Sequence, residues 1–309
     1  MDTRSDPDAS GPGGGLDAVM SERRHLVSLA YRLLGSLADA EDVVQETYTR
    51  WYAMPRERQD AIDNPAAWLT KVAGRICLDV LGSARVRRES YVGAWLPEPV
   101  PGRIDARPGD GDADPAERVT LDESINMAFL VVLESMTPAE RVAFVLHDVF
   151  RYPFAEVAEI VGRTPAACRQ LAVSARRRLE ASRTPAVPVA QSARVVRDLR
   201  RAWEAKDIGA LVAVLAPDAV AVGDGGGVVS ALLEPVEGAE AIARYLVRVL
   251  DMAPGMEVLE QTVNAQPGLV VRHEGAIAVV FTFDFEEDGR VKHLWGVRNP
   301  EKLRPWAAS

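Results

Sequence analysis

The sequence predicts a multidomain protein in which two all-α units are followed by one α+β unit. Apolar residues recur at helical spacing between residues 22 and 90 and again between residues 121 and 182. Two proline-rich stretches, at 91–117 and 184–189, separate the three units and are typical of linkers. After residue 192 an opening helix gives way to alternating apolar and polar residues, which indicates strands of a sheet.

Helix start and stop signals define the first unit. An apolar stripe ends at Gly35, and Asp39 is expected to cap the following helix. A third helix begins with Asn64 as its cap and Pro65 at its first position. These signals predict three helices in succession.

Turn signals define the elements of the other two units. In the second unit, Thr137 and Glu140 form a capping box that opens a helix. In the third unit, the run AIAVVFTFDFEEDGRVKHLWGV predicts a β-hairpin that turns at Glu287-Asp288-Gly289.

Length and composition exclude several classes of protein. The 309 residues are 48% apolar, enough for two or three packed domains. The sequence has no apolar run long enough to cross a membrane, and its first 20 residues predict a disordered tail rather than a secretory signal. Cys77 and Cys168 are far apart, so two reduced thiols are favoured over a disulfide. The four histidines show no zinc spacing, and we expect a cytoplasmic protein without metal or cofactor.

Positive charge is concentrated at two places in a chain whose net charge is −9. Residues 163–183 hold six arginines and one acid, and residues 64–90 hold five basic residues and two acids. Between them, residues 95–123 hold eight acids and three arginines. Two basic regions separated by an acidic linker predict nucleic-acid contact at two places.

The second basic region has the spacing of a helix-turn-helix motif. A short amphipathic helix at 154–161 meets Gly162, and Thr164-Pro165 then open a second helix. The second helix of such a motif enters the major groove, where arginines bind phosphates and Arg169 and Gln170 can read base edges. A helical hairpin with a solvated basic face is the alternative.

The helix DAEDVVQETYTRWY resembles the polymerase-binding helix of domain 2 of bacterial sigma factors. Asp42, Gln45 and Glu46 match the family's D-x-x-Q-E spacing, and this spacing places all three on one helix face. The resemblance implies that they contact the clamp of core RNA polymerase. Taken alone, the charged face favours a solvated helix, but the order of the neighbouring motifs reverses this and favours the sigma-factor interpretation.

The next segment, NPAAWLTKVAGRICLDVLGSARVRRE, resembles the promoter-melting and −10 recognition region of the same family. Arg75 stands where many relatives carry an asparagine that touches the separated strand. Trp68 can stack on an unpaired base, although a core position is favoured. The DNA-contacting residues implied here are Lys71, Arg75, Arg85, Arg87 and Arg88.

The helix-turn-helix resembles sigma domain 4, which reads the −35 element and docks on the polymerase flap. Ser174-Ala175-Arg176 stands where many relatives have Arg-Ala-Arg, so one phosphate contact is expected to move to Arg177 or Arg178. Domains 2 and 4 without domain 3 are typical of the extracytoplasmic-function class, and the resemblance covers about residues 22–182. The DNA-contacting residues implied here are Arg163, Arg169, Gln170, Ser174, Arg177 and Arg178.

Residues 192–309 resemble the SnoaL-like domain, a relative of ketosteroid isomerases, that is attached to SigJ-type sigma factors. This implies a SnoaL-like or NTF2-like α+β cone with a curved antiparallel sheet. Val228 departs from the subgroup, in which a basic residue usually follows the glycines. Three motifs carry the resemblance: Trp95-Leu96-Pro97-Glu98-Pro99 in the linker, Asp224-Gly225-Gly226-Gly227, and Asn299-Pro300-Glu301-Lys302-Leu303 near the C-terminus.

The three motifs lead to a hypothesis about the linker. Trp95 and its neighbours are expected to pack against the Asp224–Gly227 loop, because glycines allow another chain segment to approach closely. Such a contact would set the spacing of the two DNA-binding regions. A plain glycine turn and an idle linker are the alternative.

The relationship to isomerases raises an enzyme hypothesis, which the residues do not favour. The candidate acid/base groups are Asp224, His273, Asp284 and His293, and no spacing distinguishes them. We therefore expect no catalytic residues, because fold alone does not imply catalysis. A small-molecule ligand in the C-terminal domain stays open, as does a stand-alone helix-turn-helix regulator with a ligand-sensing domain.

The sequence is thus identified as a member of the SigJ-type extracytoplasmic-function sigma factors. The expected function is to bind core RNA polymerase, recognise the −10 and −35 elements and direct initiation under control of the fused domain. The expected organisation is a tail at 1–20, sigma domain 2 at 21–90, a linker at 91–117, sigma domain 4 at 118–183, a second linker at 184–191 and the SnoaL-like domain at 192–309.

Overall fold

The computed structural model describes residues 13–89, 91–102, 125–182 and 187–307, with backbone only at 13–21 and 84–89. The first unit, the expected sigma domain 2, has four helices among its described residues: α1 (Gly13–Leu34), α2 (Leu37–Tyr52), α3 (Arg56–Asp60) and α4 (Pro65–Glu89). Helix α1 begins at Gly13, so the predicted boundary of the tail at residue 20 is wrong. Leu16, Ala18 and Met20 are good helix formers, whereas the three glycines at 13–15 are not, so propensity does not explain the first turn.

The caps of these helices agree with the sequence except in one case. Gly35 ends α1 with a φ of 68°. Asn64 caps α4 by accepting a hydrogen bond from the Ala67 amide at 3.0 Å. The prediction that Asp39 caps α2 is wrong, because Ser36 accepts a hydrogen bond from the Asp39 amide at 3.2 Å and starts the helix earlier.

Sigma domain 4 contains the predicted helix-turn-helix. Its elements are α5 (Met127–Glu134), α6 (Pro138–Phe144), a π-helical turn (Val145–Val149), α7 (Phe154–Val161) and α8 (Pro165–Ala181). The capping box of Thr137 and Glu140 is formed. Gly162 ends α7 in the left-handed conformation, and Thr164 caps α8. Among the described helices of the chain, none has the length and apolarity of a membrane span.

The third unit is a six-stranded sheet with helices. Its helices are α9 (Val189–Glu204), α10 (Ile208–Val214), α11 (Ala239–Met252) and α12 (Arg304–Ala307). Its strands are β1 (Leu215–Asp224), β2 (Val236–Glu237), β3 (Glu257–Val263), β4 (Gln266–His273), β5 (Ala276–Phe285) and β6 (Val291–Val297). The strand order is β2-β1-β6-β5-β4-β3.

The predicted α+β fold is confirmed, but the sheet is mixed and differs from the predicted antiparallel sheet in one pairing. Strand β1 runs parallel to β6, whereas the other neighbouring pairs are antiparallel. Short hairpins force antiparallel pairing, but β1 and β6 are joined through α11 and four further strands, a connection long enough for parallel pairing. The predicted hairpin between β5 and β6 is confirmed, with Gly289 in its turn at a φ of 88°.

The two faces of this sheet pack against different parts of the chain. One face and helices α9–α11 enclose a core that includes Trp203, Leu246 and Phe281. The opposite face packs against Leu96 of the linker and Met127 of α5. Domains 2 and 4 share a third core that runs from α1 to α8. The sheet therefore supports the sigma domains through the linker.

Candidate functional site

The predicted polymerase-binding face lies on the exposed side of α2. Asp42, Gln45 and Glu46 are all exposed, while Val43 and Val44 between them are buried in the domain core. The amphipathic pattern of the helix thus turns the acidic positions outward. Of these three side chains, Glu46 forms an ion pair of 2.9 Å with Arg50 one turn later.

Helix α7 of domain 4 contacts two predicted DNA-contacting residues of domain 2, one half-buried and one exposed. Lys71 forms an ion pair with the Glu159 carboxylate, and Arg75 Nη2 donates to the Glu159 carbonyl at 2.9 Å. The hydrogen bond and charge of Lys71 hold the pKa of Glu159 below its usual value. A Cβ built on Gly74 would lie 2.9 Å from Ile160 Cγ2, so the two helices are in close contact.

A second contact joins the two sigma domains through Tyr152. Its hydroxyl is 3.0 Å from His25 Nε2 and 3.0 Å from Thr70 Oγ1, both in domain 2. Nearby, the buried Arg141 donates from Nη1 to the Leu33 carbonyl at 3.0 Å. Domains 2 and 4 are therefore closed against each other.

The remaining candidate DNA-contacting residues of domain 2 are Trp68 and three arginines near the end of α4. Trp68 is half-buried and meets Trp51 edge to face, with 5.2 Å between the ring centroids, so it packs as a core residue. Arg85, Arg87 and Arg88 lie on α4, and their side chains fall outside the described part of the structure.

The recognition helix α8 exposes most of its predicted DNA-contacting residues. Ser174 is the exception, because its hydroxyl donates to Glu140 Oε1 at 2.6 Å inside the domain. Burial acts to raise the pKa of Glu140, but hydrogen bonds from Ser174 and Thr137 hold it below its usual value. The exposed side chains are Arg163, Arg169, Gln170, Arg177 and Arg178.

Asp224 joins the SnoaL-like domain to the linker. It lies at the end of β1, is fully buried, and accepts the Leu96 amide at 3.0 Å and the Tyr91 hydroxyl at 2.6 Å. Lys302 Nζ donates to the same carboxylate at 2.6 Å. A buried carboxylate needs such partners, since an unpaired buried charge is costly. Asp224 is therefore the centre of the contact between these parts.

Lys302 completes this contact from the C-terminal motif. It is nearly buried and also donates to the Leu96 carbonyl at 2.5 Å. Its ammonium lies 4.1 Å from the centroid of the Trp95 ring, a cation–π distance. Asn299 donates to the Tyr91 hydroxyl at 3.0 Å. Burial raises the pKa of Tyr91, with a further contribution from Asp224.

We expected Trp95 and its neighbours to pack against the Asp224–Gly227 loop. In the structure its neighbour Val92 contacts this loop, whereas the Trp95 ring contacts domain 2. The glycine loop is approached by Val92, which would be 3.1 Å from a Cβ built on Gly227. The Trp95 ring instead reaches domain 2, where a Cβ built on Gly35 would lie 2.9 Å away. Trp95 thus lies between Lys302 and the α1–α2 turn.

Glu98 fixes the linker to the start of the polymerase-binding helix. Its Oε2 accepts the Leu37 amide at 2.8 Å, and its own amide donates to the Gly35 carbonyl at 2.8 Å. Tyr31 donates to the Glu98 carbonyl at 2.7 Å. Burial raises the pKa of Glu98 despite these hydrogen bonds. The linker therefore supplies an N-cap to α2.

The other motif residues fill the space between the sheet and the linker. Pro99 accepts a hydrogen bond from Trp306 Nε1 at 2.7 Å. A Cβ built on Gly226 would lie 2.5 Å from Asn299, which explains the glycine there. The remaining buried members of the three motifs are Leu96, Pro97, Gly225 and Leu303, whereas Pro300 is exposed.

Sequence reasoning missed Asn264, which binds the linker at Val100 and the beginning of domain 4 at Ile125. It lies in the β3–β4 turn with a φ of 50°, and its Oδ1 accepts the Val100 amide at 3.1 Å. Its Nδ2 donates to the Ile125 carbonyl at 2.8 Å and to the Tyr31 hydroxyl at 2.7 Å. An asparagine in a short hairpin signals a left-handed turn, but no local signal indicates its distant partners.

The candidate acid/base residues do not gather around one cavity. Asp224 is bound to the linker, as described above. Asp284 Oδ2 and His293 Nδ1 are 3.3 Å apart on β5 and β6, and the His293 ring stacks on Trp295. His273 lies at the end of β4, next to the turn into β5. The two cysteines, Cys77 and Cys168, are buried free thiols.

Comparisons with known families agree with this architecture. Residues 18–88 match Sigma-70 region 2, residues 126–179 match Sigma-70 region 4, and residues 196–298 match the SnoaL-like domain. Two sigma domains on a SnoaL-like unit define a sigma factor with a fused C-terminal domain.

Curated relatives and a solved structure identify the family. The chain is 40% identical over 294 residues to the ECF RNA polymerase sigma factor SigJ of Mycobacterium tuberculosis, covering 91% of this chain and 90% of SigJ. It is 35% identical to the probable sigma factor SigI of that organism, covering 94% and 95% of the two chains. The crystal structure of M. tuberculosis SigJ aligns with a TM-score of 0.72 at 35% identity, covering 94% of this chain and 98% of that one. This chain belongs to the ECF RNA polymerase sigma factors, proteins that join core polymerase to promoter DNA.

Proposed function

We propose that this sigma factor binds the polymerase clamp through Asp42, Gln45 and Glu46 and the flap through domain 4. The exposure of all three residues on α2 supports this assignment. Their acidic face suits a basic partner surface. Domain 2 would then open the −10 element, and α8 would enter the major groove of the −35 element.

The described arrangement is a closed form that cannot hold both promoter elements. The two elements lie about 25 base pairs apart, which is about 85 Å along B-DNA. In the closed form, Lys71 and Arg75 of domain 2 touch Glu159 in the helix-turn-helix itself. Domains 2 and 4 would therefore have to separate before initiation.

The SnoaL-like domain is proposed to restrain this separation. The observation that carries the proposal is the buried contact of Asp224 and Lys302 with the linker at Leu96. Asn264 adds a second attachment at Val100 and Ile125. Since the linker joins the two sigma domains, holding it favours the closed form. The fused domain would thus act as a built-in regulator.

Catalysis is not part of the proposal. Asp224, the most buried of the candidate acids, is used by the linker contact. A small ligand could act by displacing the linker, and titration of the full chain with metabolites would test that role. As a partner of core polymerase, the protein is proposed to act in the cytoplasm.

Run-off transcription with purified core polymerase tests the proposed function. Three versions are compared: the full chain, one ending at residue 298 and one ending at residue 191. We expect the full chain to start transcription from a promoter in its own genomic neighbourhood. Removal of residues 299–309 deletes Lys302 and Trp306 and is expected to raise the transcript level. Silence of every version on every such promoter would favour the stand-alone regulator instead.

A further inference from the structure

A stack of three side chains in domain 4 ends at the recognition helix. The rings of His147 and Phe154 are stacked, with 3.7 Å between centroids and 26° between planes. From the recognition helix α8, Arg169 places its Cζ 5.5 Å from the centroid of the same Phe154 ring, within cation–π range. A guanidinium over an aromatic face has lost much of its rotational freedom.

The base of the stack is fixed by the backbone. His147 lies in the π-helical turn between α6 and α7, a geometry that is often found at functional sites. Its Nδ1 is 2.9 Å from the Tyr152 carbonyl, which can only accept, so Nδ1 carries the proton. The ring of His147 is therefore held in one orientation below Phe154.

The position of Arg169 gives the stack a function. Arg169 lies near the beginning of α8, the part of a recognition helix that faces base edges, and it is exposed. Arginine reads guanine through two parallel hydrogen bonds, which require a fixed guanidinium plane. All members of the stack belong to domain 4, so it is retained when domains 2 and 4 separate.

We propose that Phe154, backed by His147, is a positioning residue that orients Arg169 for base recognition in the −35 element. This inference rests on the proposed function of domain 4. It assigns specificity to a residue that does not itself touch DNA. Loss of the aromatic face would free Arg169 to rotate and weaken its choice between bases.

The preference of the holoenzyme for one base pair over another in the −35 element distinguishes a positioning role of Phe154 from a packing role. Run-off transcription is measured with wild-type holoenzyme, Phe154→Leu, Phe154→Tyr, Arg169→Ala and the double variant, on promoters substituted one at a time in the −35 element. We expect Arg169→Ala to abolish preference at one base pair. Phe154→Leu is expected to weaken preference at that same base pair by about two- to fivefold. Phe154→Tyr retains the ring and the preference.

The outcomes are distinct. If the preference loss of the double variant equals that of Arg169→Ala alone, Phe154 acts through Arg169. A uniform loss on all promoters with Phe154→Leu, or an unchanged preference at the Arg169 base pair, would overturn the inference and leave Phe154 a packing role. Silence of the wild-type holoenzyme on every promoter would overturn the proposed function, and this inference with it.

Discussion

At the scale of single residues, Glu98 couples the linker to the polymerase-binding helix. Its carboxylate caps α2 at Leu37 while its backbone binds Gly35 and Tyr31. The hydrogen bond to the Leu37 amide comes from a distant segment, so it exists only while the linker is docked, whereas the Ser36 cap is local. Burial raises the pKa of the Glu98 carboxyl group, so its contribution to folding stability depends on pH.

The pH dependence of folding stability should report on Glu98. Because burial raises its folded-state pKa, the native state holds the proton more tightly than the unfolded state. The contribution of Glu98 is then fully present below the ordinary value of 4.5 and is lost as pH rises through the raised pKa. A pKa difference of one corresponds to about 1.4 kcal/mol.

Thermal unfolding of wild type and Glu98→Gln across this pH range tests the expectation. The stability of wild type relative to Glu98→Gln should fall as pH rises from 4.5 towards neutral, whereas Glu234→Gln, at an exposed site, should follow wild type. Parallel curves for wild type and Glu98→Gln would show that Glu98 ionises alike in the folded and unfolded states.

At the scale of elements, the turn after β1 is shaped by the C-terminal motif. Gly226 has a φ of 67°, and a Cβ there would lie 2.5 Å from Asn299. Gly255 also has a positive φ, 84°, but a Cβ there would meet no atom within 4 Å. Both glycines have a positive φ, but only at Gly226 would a Cβ collide with a neighbouring side chain.

Alanine substitution at the two glycines should distinguish the cost of backbone strain from the cost of the collision with Asn299. Both Gly226→Ala and Gly255→Ala place a Cβ in the left-handed region, at a cost of about 1–2 kcal/mol. Gly226→Ala must also displace Asn299 from Tyr91, so we expect an additional loss of about 1–3 kcal/mol. The measurements are thermal unfolding and the rate of proteolysis in the linker. Equal losses for the two variants would contradict the close contact with Asn299.

Elements with local signals were predictable, and distant contacts were not. Gly162 with Thr164, and Gly289 in the hairpin, act on their own neighbours, so the helix-turn-helix and the turn followed from sequence. Asp39 failed as a cap because Ser36 is an equally good capping residue three positions earlier. The partners of Asn264 are more than a hundred residues away in sequence, and no periodicity encodes them.

The candidate site shows the same division. The spacing of Asp42, Gln45 and Glu46 defines a helix face, so their exposure was predictable. Lys71 and Arg75 contact Glu159 because domains 2 and 4 pack against each other. No pattern in the sequence predicts that packing.

At the scale of the whole molecule, closure determines what the sigma domains can do. Contacts of α4 with α7 and of the linker with Asp224 and Lys302 act together, since each keeps domains 2 and 4 adjacent. In the proposed function, the SnoaL-like domain restrains initiation by holding the chain between the two sigma domains. Opening would release Lys71 and Arg75 for DNA in the same step.

A reversible lock between domains 2 and 4 tests closure most directly. A Cβ on Gly74 would lie 2.9 Å from Ile160 Cγ2, so Gly74→Cys and Ile160→Cys place two thiols within disulfide reach. Wild type, whose own cysteines are buried and free, is the control under the same oxidation. Run-off transcription is measured with oxidised and reduced protein. We expect background transcription from the cross-linked protein and recovery on reduction; equal transcript from both forms would contradict the requirement that domains 2 and 4 separate.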